Sequence, residues 1–352
     1  MTQVLHLIDD AGIGGVTRVL ADYLPNLGDG FTHDVLRVAT NRLLPDLPNA
    51  EIVVVHFTPN WSKLPFLLAL RLRTQGRILV LVEHSYTQAY ERLRVPHRAR
   101  FRTMLRLAYR LADRVVAVSQ GQAAWLRDAQ LVPPERLAVI PNACNPAPFV
   151  NVPDLARRTG PLRLGAYGRY APQKGFDLLV AAMHSVPASV ATLVLAGYGP
   201  NEVALRAAAA GLDHVSIAGP TDAPADFLAG IDAVVVPSRW EAFGLVAAEA
   251  RAAGRPILVA SVDGLIEQVD SAWGMLFKPS EPGSIAAAIH GLAGHDLVAM
   301  GAAARGSVRG AMDATIGGWL ALLRDVATRS ARAQARIATV SHALPAQPAP
   351  IG

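Results

Sequence analysis

The sequence predicts an α/β protein built from two doubly wound domains. Its 352 residues are enough for two ordinary domains of about 150 residues each. Short apolar runs alternate with helix-like segments through most of the chain. The runs are continuously hydrophobic, which is typical of strands that helices cover on both faces of a parallel sheet.

Twelve apolar runs divide into two sets of six. Those of the first half are residues 4–8, 33–39, 51–57, 77–83, 114–118 and 137–140. Those of the second half are residues 162–167, 191–196, 215–218, 233–237, 256–260 and 275–277. Each set, with its intervening helices, predicts one doubly wound sheet.

Breaks in the hydrophobic periodicity predict the domain boundaries. We expect a first domain over 1–145, a proline-containing linker over 146–160 and a second domain over 161–310. Residues 311–328 keep helical spacing, with Trp319 and Leu323 on one side. From residue 329 to 352 the chain is rich in Ser, Ala, Gln and Pro, which predicts a disordered tail.

Composition excludes several classes of protein. A single cysteine, Cys144, rules out an intramolecular disulfide and any cysteine-rich metal site. No apolar run approaches the ~18 residues of a membrane span. Residues 1–10 carry two aspartates and no basic flank, so they do not resemble a secretory signal. We therefore expect a cytoplasmic protein.

The basic residues are unevenly chosen and placed. There are 33 basic and 28 acidic residues, a net charge of +5, and the only lysines are Lys63, Lys174 and Lys278. A lysine in such an arginine-rich background gains weight as a chemical choice. Eight arginines fall between residues 92 and 114, so the positive field belongs to one surface.

A glycine-rich loop follows the first predicted strand. Gly12, Gly14 and Gly15 let the backbone approach a ligand and direct N–H groups at it, with a helix N-terminus favouring an anion. The loop lacks the full dinucleotide fingerprint, and Asp34 precedes the core of its strand instead of ending it. A tight strand-to-helix turn is an equally good interpretation.

Two cations follow the first strand of the second half. Gly168-Arg169 and Lys174-Gly175 lie on a short loop at the carboxyl end of that strand, where open α/β sheets bind ligands. Arg binds two oxygens at once and Lys acts as a point charge, so the pair suits a diphosphate. The alternative is that both are solvated surface charges.

Two glutamates follow the fourth strand of the second half. Glu241 lies in the loop, and Glu249 lies in a helix otherwise made of Leu, Val and Ala. A carboxylate among such neighbours needs a partner, because an unpaired buried charge is costly. N–H groups near residues 243–245 offer an anion site at the helix start. A solvated Glu249 is the simpler alternative.

At these residues the sequence resembles the retaining glycosyltransferases of GT-B fold, family 4. Gly168-Arg169 with the segment 174–177 is similar to one family motif, and 237–249 is similar to the other at full spacing. Gly14-Gly15, His84, Ser119 and the glycine turn around Gly197 are weaker likenesses. The resemblance spans about residues 4–326 and implies two Rossmann-like domains facing a central cleft. It also implies that the helix 311–328 crosses back onto the first domain.

The resemblance assigns roles to individual residues. Arg169 and Lys174 would hold the diphosphate, Glu249 the ribose hydroxyls, and Glu241 the donor sugar. His84 would line the sugar pocket, and the resemblance places it in the catalytic set with Glu241, Lys174 and Arg169. The implied donor-binding set comprises Gly14, Gly15, Gly168, Arg169, Lys174, Gly197, Glu241, Ala242, Phe243, Gly244, Leu245 and Glu249.

The implied reaction is hexose transfer from a UDP- or GDP-linked sugar to a hydroxyl of a glycan or lipid-linked saccharide. It serves cell-surface polysaccharide or glycolipid synthesis. Configuration would be retained by front-face attack, so Glu241 is not assigned as a nucleophile. Cations and helix dipoles would stabilise the leaving diphosphate, with no metal and no cofactor. Two positions depart from the family pattern: Ala143 and Asp263 stand where glycines are usual, which puts backbone contacts of the second loop in doubt.

Residues 97–112 predict an amphipathic helix. Arg98, Arg102, Arg106 and Arg110 recur every fourth residue beside an apolar stripe. The helix either docks on an anionic inner-membrane leaflet, giving access to a polyprenyl-linked acceptor, or packs on the sheet with a solvated arginine face. Nucleic acid is a poor partner, because stacking aromatics are not interleaved with these arginines.

Three other functions stay open at this point. A nicotinamide-dependent oxidoreductase shares the architecture, but no complete fingerprint or hydride-site acid is evident. A catalytically idle sugar-nucleotide-binding subunit would share the fold. A GT-B enzyme that makes or cleaves a free sugar phosphate or disaccharide would also use these residues.

Overall fold

The protein forms two six-stranded parallel sheets, as the apolar runs predict. The computed structural model describes residues 1–9, 15–42, 45–74, 76–157, 159–221 and 223–343, with side chains as far as residue 328. Within these ranges all twelve predicted strands are present, and their ends differ from the predicted ends by two residues at most. The prediction of two doubly wound α/β sheets is therefore confirmed.

The first sheet has the order β2-β1-β3-β4-β5-β6, and every neighbouring pair is parallel. Both faces of its central strands are covered, which explains their unbroken apolar sequences. Its strands are β1 Thr2–Ile8, β2 Phe31–Arg37, β3 Ile52–Val55, β4 Ile78–Glu83, β5 Arg114–Ala117 and β6 Leu137–Val139.

The second sheet has the order β12-β11-β10-β7-β8-β9 and is likewise parallel. Its strands are β7 Leu162–Arg169, β8 Ala191–Tyr198, β9 Val215–Ala218, β10 Ala233–Val236, β11 Ile257–Ala260 and β12 Gly274–Phe277. In each sheet the strand order reverses at one point, between β1 and β3 and between β7 and β10. Ligands of open α/β sheets bind at such reversals, outside the carboxyl ends of the strands.

Twelve α-helices cover the sheets in the part of the chain that the structure describes. The first six are α1 Gly15–Tyr23, α2 Leu64–Arg73, α3 Gln88–Arg94, α4 Arg98–Leu111, α5 Gln120–Asp128 and α6 Phe176–Met183. The others are α7 Glu202–Ala208, α8 Pro224–Ala229, α9 Leu245–Ala252, α10 Pro282–Leu292, α11 Leu297–Ser307 and α12 Ala311–Ala343.

The last helix returns to the first domain. Trp319 is buried and stacks on Tyr23 of α1 with ring centroids 5.5 Å apart. Asp325 pairs with Arg114 of β5 at 3.0 Å. Helix α12 also continues to Ala343, where the sequence predicted a tail from residue 329. Ala, Arg and Gln have high helix propensity, so the segment extends the helix. Residues 344–352 lie outside the described ranges.

The arginine-rich helix α4 packs on the first sheet through Met104, Leu105, Ala108 and Tyr109, all buried. Among the described helices, no single one has the length and hydropathy of a membrane span. One pair, 282–292 with 297–328, reaches that composition only when joined across a 108° bend.

Candidate active site between the two sheets

The two reversal points face each other across a cavity of about 640 Å³. Helix α1 contributes Gly15 and Arg18 from the first domain, and β7, β8, β10 and their loops supply the opposite wall. Eight of the residues that the family resemblance assigned to the donor come together in its lining: Gly15, Gly168, Arg169, Lys174, Gly197, Glu241, Leu245 and Glu249.

Glycines allow the second-domain loops to crowd together at the cavity. A Cβ on Gly197 would lie 2.0 Å from the carbonyl oxygen of Gly168. Gly175 has φ +64°, and a Cβ there would lie 2.1 Å from the carbonyl oxygen of Pro237. Only glycine fits at such distances, so the loops after β7, β8 and β10 can share one rim.

Lys174 and Glu241 form an ion pair in this cavity. The Lys174 Nζ lies 2.7 Å from Glu241 Oε2, which also accepts a hydrogen bond from Ser238 Oγ at 3.1 Å. Arg169 lies exposed at the rim, with no ion-pair partner among the described residues. One paired and one free cation therefore stand together, and an incoming anion can replace the Glu241 carboxylate at Lys174.

Glu249 is buried in α9, as its apolar neighbours indicate, and only 2% of its surface is exposed. Tyr167 donates its hydroxyl to Glu249 Oε2 at 2.5 Å. Arg18 of the first domain approaches Glu249 Oε1 at 2.8 Å. Burial raises the pKa of the Glu249 carboxyl, and the Arg18 charge opposes that shift. The carboxylate thus joins both domains at the cavity floor.

Helix α9 directs its N-terminus at the cavity. Gly244 precedes the helix with φ +95°, and Leu245 and Val246 line the cavity wall. The unpaired N–H groups of a first helical turn favour an anion. Ala242 and Phe243 are buried and, like Gly244, lie outside the cavity lining. Gln268 holds the carbonyl oxygens of Phe243 and Gly244 from behind.

A second set of contacts ties the loop after β11 to the first domain. Asp263 has φ +41°, and its carboxylate accepts the N–H of Ala89 at 3.0 Å and of Glu241 at 3.2 Å. Glu267 accepts the N–H groups of Gln120 and Gly121 at the start of α5. Asp263 therefore bridges the domains with its side chain, where the family pattern has a glycine.

His84 follows β4 in the first domain and does not line the 640 Å³ cavity. Its Nε2 lies 3.1 Å from His56 Nδ1. Burial lowers the pKa of His84 to about 4, so the ring is neutral at pH 7. A smaller cavity of about 310 Å³ lies beside it, at the carboxyl ends of β1, β3 and β4, and is lined in part by His56, Thr58 and Ser85. The predicted Gly14 lies outside the described residues.

Both halves of the chain match known family models. Residues 161–295 match the model described as Glycosyl transferases group 1. Residues 16–147 match the model described as Glycosyltransferase Family 4. The chain belongs to the family 4 glycosyltransferases. The resemblance that the motifs around Lys174 and Glu241 indicated is thereby confirmed.

Individual relatives share about a third of their aligned residues with this family 4 chain. It is 34% identical to a D-inositol 3-phosphate glycosyltransferase of Acidothermus cellulolyticus over 258 residues, 65% of the chain and 57% of the relative. A protein of the same name from Geodermatophilus obscurus is 31% identical over 255 residues, 63% of the chain and 55% of the relative. The chain thus spans little more than half the length of these relatives.

Solved structures share the fold of this family 4 chain. Sucrose-phosphate synthase of Thermosynechococcus elongatus superimposes with a TM-score of 0.74 at 20% identity, covering 94% of the chain and 100% of that structure. The Anabaena protein HepE in complex with UDP gives 0.72 at 19% identity, with 92% and 100% covered. At these identities the likeness establishes the architecture.

Sequence reasoning missed several polar residues of the site. Arg18 and Tyr167 hold Glu249, and Ser238 holds Glu241. The need for a partner at Glu249 was a signal, but nothing in the sequence pointed to Arg18 among thirty arginines. Ser238 stands in the motif itself, three residues before Glu241, and its spacing could have identified it.

Proposed function

We propose that this chain transfers a hexose from a nucleoside diphosphate sugar to an acceptor hydroxyl. The observation that carries the proposal is the cavity between the domains, where Arg169, Lys174 and the N-terminus of α9 converge. Three positive groups in one cavity suit the two phosphates of the donor and the charge that develops as they leave. The Anabaena neighbour solved with UDP and with UDP-glucose supports a uridine nucleotide donor.

The leaving group is stabilised by exchange of partners at Lys174. In the structure the Glu241 carboxylate forms an ion pair with the Lys174 ammonium. A bound diphosphate takes over the ammonium, and the Glu241 carboxylate becomes free to accept hydrogen bonds from the donor sugar. Ser238 keeps that carboxylate in place during the exchange. The same carboxylate is thus a sugar-binding group, and the reaction retains configuration by front-face attack without a protein nucleophile or a metal.

The acceptor enters from the first domain. The 310 Å³ cavity beside α1 is lined by Thr17, His56, Thr58 and Ser85, groups that bind hydroxyls. Asp9 also lines it and is paired with Lys63 at 2.6 Å. A charge-neutral lining favours a saccharide hydroxyl over a phosphorylated acceptor. Relatives named D-inositol 3-phosphate glycosyltransferase make an inositol phosphate the alternative acceptor to test.

Membrane contact is proposed for the start of α4. Arg102 forms an ion pair with Glu91, with 2.6 Å between Nε and Oε1, and Arg106 donates to the carbonyl oxygens of Gln130 and Ala129. Arg98 and Arg100 are exposed, and the Arg100 guanidinium lies 5.4 Å from the ring centroid of Trp61, which is itself exposed. A basic and aromatic corner of this kind suits an anionic leaflet.

Liposome sedimentation tests this corner. Arg98→Glu combined with Arg100→Glu is expected to abolish sedimentation with vesicles containing phosphatidylglycerol. Arg42→Glu with Arg309→Glu changes the same charge at exposed sites elsewhere and serves as the matched control. Equal sedimentation of the two double variants would contradict the membrane contact.

A donor panel tests the proposed reaction. The chain is incubated with UDP- and GDP-linked hexoses and with saccharide, polyprenyl-linked and inositol phosphate acceptors. We expect release of one nucleoside diphosphate that depends on the acceptor, and proton NMR of the product shows the anomeric configuration of the donor. Nucleotide binding without release from any pair would favour the idle subunit, and binding of NAD alone would overturn the proposal.

A further inference from the structure

Four histidines of the first domain form one continuous chain of hydrogen bonds. His84 Nε2 lies 3.1 Å from His56 Nδ1, and His56 Nε2 lies 2.9 Å from His6 Nδ1. His6 Nε2 lies 3.0 Å from His33 Nδ1, and His33 Nε2 lies 3.2 Å from the carbonyl oxygen of Leu27. The chain crosses the sheet from the loop after β4 to the edge strand β2.

The carbonyl at the outer end sets the direction of every bond. A carbonyl oxygen only accepts, so the proton lies on His33 Nε2. A neutral His33 then has an unprotonated Nδ1, which accepts from His6 Nε2–H. His6 Nδ1 in turn accepts from His56 Nε2–H, and His56 Nδ1 accepts from His84 Nε2–H. All four rings are therefore neutral Nε2–H tautomers, and four protons satisfy four hydrogen bonds.

The opposite direction is unfavourable. If every ring carried its proton on Nδ1, His33 Nε2 would direct a lone pair at the Leu27 carbonyl oxygen across 3.2 Å. A buried acceptor without a donor loses the free energy of a hydrogen bond. The chain therefore distinguishes two ring tautomers that are otherwise close in free energy.

The surroundings keep the chain neutral. His6 and His56 are 1% and 3% exposed, and burial lowers the pKa of His6 to about 3 and of His56 well below its usual range. Burial also lowers the pKa of His33, and the charge of the adjacent Asp34 opposes that shift. Asp34 accepts a hydrogen bond from Gln3, and Glu83 accepts one from Tyr109. Asp9 pairs with Lys63 at the cleft end.

We propose that His33, His6 and His56 are positioning residues that hold His84 in the Nε2–H tautomer. The Nδ1 of His84 is then a hydrogen-bond acceptor for a hydroxyl of the saccharide acceptor. The proposal deepens the transferase function and rests on it for the identity of the sugar. Within the described residues His84 Nδ1 has no hydrogen-bond partner, and the next residue, Ser85, lines the cavity proposed for the acceptor.

The histidine chain affects specificity for the sugar through one atom, the Nδ1 of His84. An unprotonated ring nitrogen accepts from a hydroxyl and is repelled by a carboxylate. A neutral hexose therefore fits opposite His84, and a uronic acid with its carboxylate at that point does not. The far end of the chain, at His33, sets this preference from the outer edge of the sheet.

Nitrogen NMR of histidine-labelled full-length protein tests the tautomers directly. In the wild type we expect His84 to show a protonated Nε2 and an unprotonated Nδ1. His33→Leu removes the acceptor for His6, so His84 is expected to become a mixture of tautomers. His33→Gln offers both an acceptor and a donor and is expected to restore the wild-type spectrum. His290→Gln, at a ring bonded within α10, is the control.

The KM for the acceptor identified by the donor and acceptor panel gives a second readout. His33→Leu is expected to raise this KM about 3- to 10-fold, the loss of roughly one hydrogen bond, and to leave the binding of UDP-glucose unchanged. A wild-type His84 protonated on Nδ1, or a His84 spectrum unmoved by His33→Leu, would overturn the positioning role. If no UDP- or GDP-linked hexose of the panel is transferred, the proposed function fails, and the NMR result still decides the inference.

Discussion

The two reversal points of the molecule have the same topology and opposite chemistry. In the second domain the loops after β7 and β10 bring Arg169, Lys174 and Glu241 into one cavity. In the first domain the start of α1 and the loops after β3 and β4 bring three hydroxyls and the neutral ring of His56 around a smaller cavity, where Asp9 is paired with Lys63. Side chains at strand ends, and not the strand order, therefore decide that one side suits a diphosphate and the other a polyol.

The largest expected effect lies on the charged side. Lys174→Ala should weaken binding of the matching nucleoside diphosphate by about 10- to 100-fold, because a charge-assisted hydrogen bond is lost. Titration calorimetry measures this, and Lys278→Ala, an exposed lysine of the same domain, is the control. Equal affinities of the two variants would contradict the assignment of Lys174 as a group that binds the diphosphate.

The next effect lies where the two sides meet, at Arg18 and Glu249. Arg18→Ala leaves a buried carboxylate with Tyr167 as its remaining side-chain partner among the described residues, and should lower the free energy of unfolding by about 1–2 kcal/mol at pH 7.5. Arg18 is 44% exposed, so solvent already screens the pair and limits the loss.

The pH dependence of that loss has a definite sign. Burial raises the pKa of Glu249, so the folded chain favours the protonated carboxyl, and its stability falls as pH rises through that pKa. The Arg18→Ala loss should therefore be smaller at pH 5 than at pH 7.5 in urea denaturation. A Glu249→Gln background should reduce it at both pH values. Additive losses in the double variant would show that the two side chains do not interact.

Sequence predicted the charged side better than the neutral one. Lys174, Glu241 and Glu249 stand in two short motifs, and the family resemblance of those motifs assigned all three to one site. Arg18 lies 231 residues before Glu249 and belongs to a different domain, and no local pattern marks it. The sheets themselves followed from their continuous apolar runs.

The histidine chain could not be predicted for the same physical reason. His6, His33, His56 and His84 lie on four different strands or the loops after them, and only the strand order β2-β1-β3-β4 places them in a row. Asp263 illustrates a different limit. Asp263 stands where the family pattern has a glycine, and this put the backbone contacts of its loop in doubt. Its hydrogen bond to Ala89 depends on how the two domains meet, which the sequence alone does not show.

The smallest expected effect tests the neutral side. Burial lowers the pKa of His84 to about 4 and of His6 to about 3. Below pH 6.5 the unfolded chain takes up protons that the folded chain excludes, so stability falls as pH drops from 7 to 4. His84→Gln keeps a hydrogen-bond donor for His56. We expect the fall in thermal midpoint between pH 7 and pH 4 to be a few degrees smaller in this variant than in the wild type. An unchanged slope would mean that His84 is not buried as a neutral ring.

A crystal structure of the full chain with UDP or GDP tests the central claim most directly. We expect the diphosphate between the domains, with one phosphate oxygen within hydrogen-bond distance of Lys174 Nζ and the Glu241 carboxylate released from that ammonium. A nucleotide bound elsewhere, or bound with the Lys174–Glu241 pair intact, would contradict it.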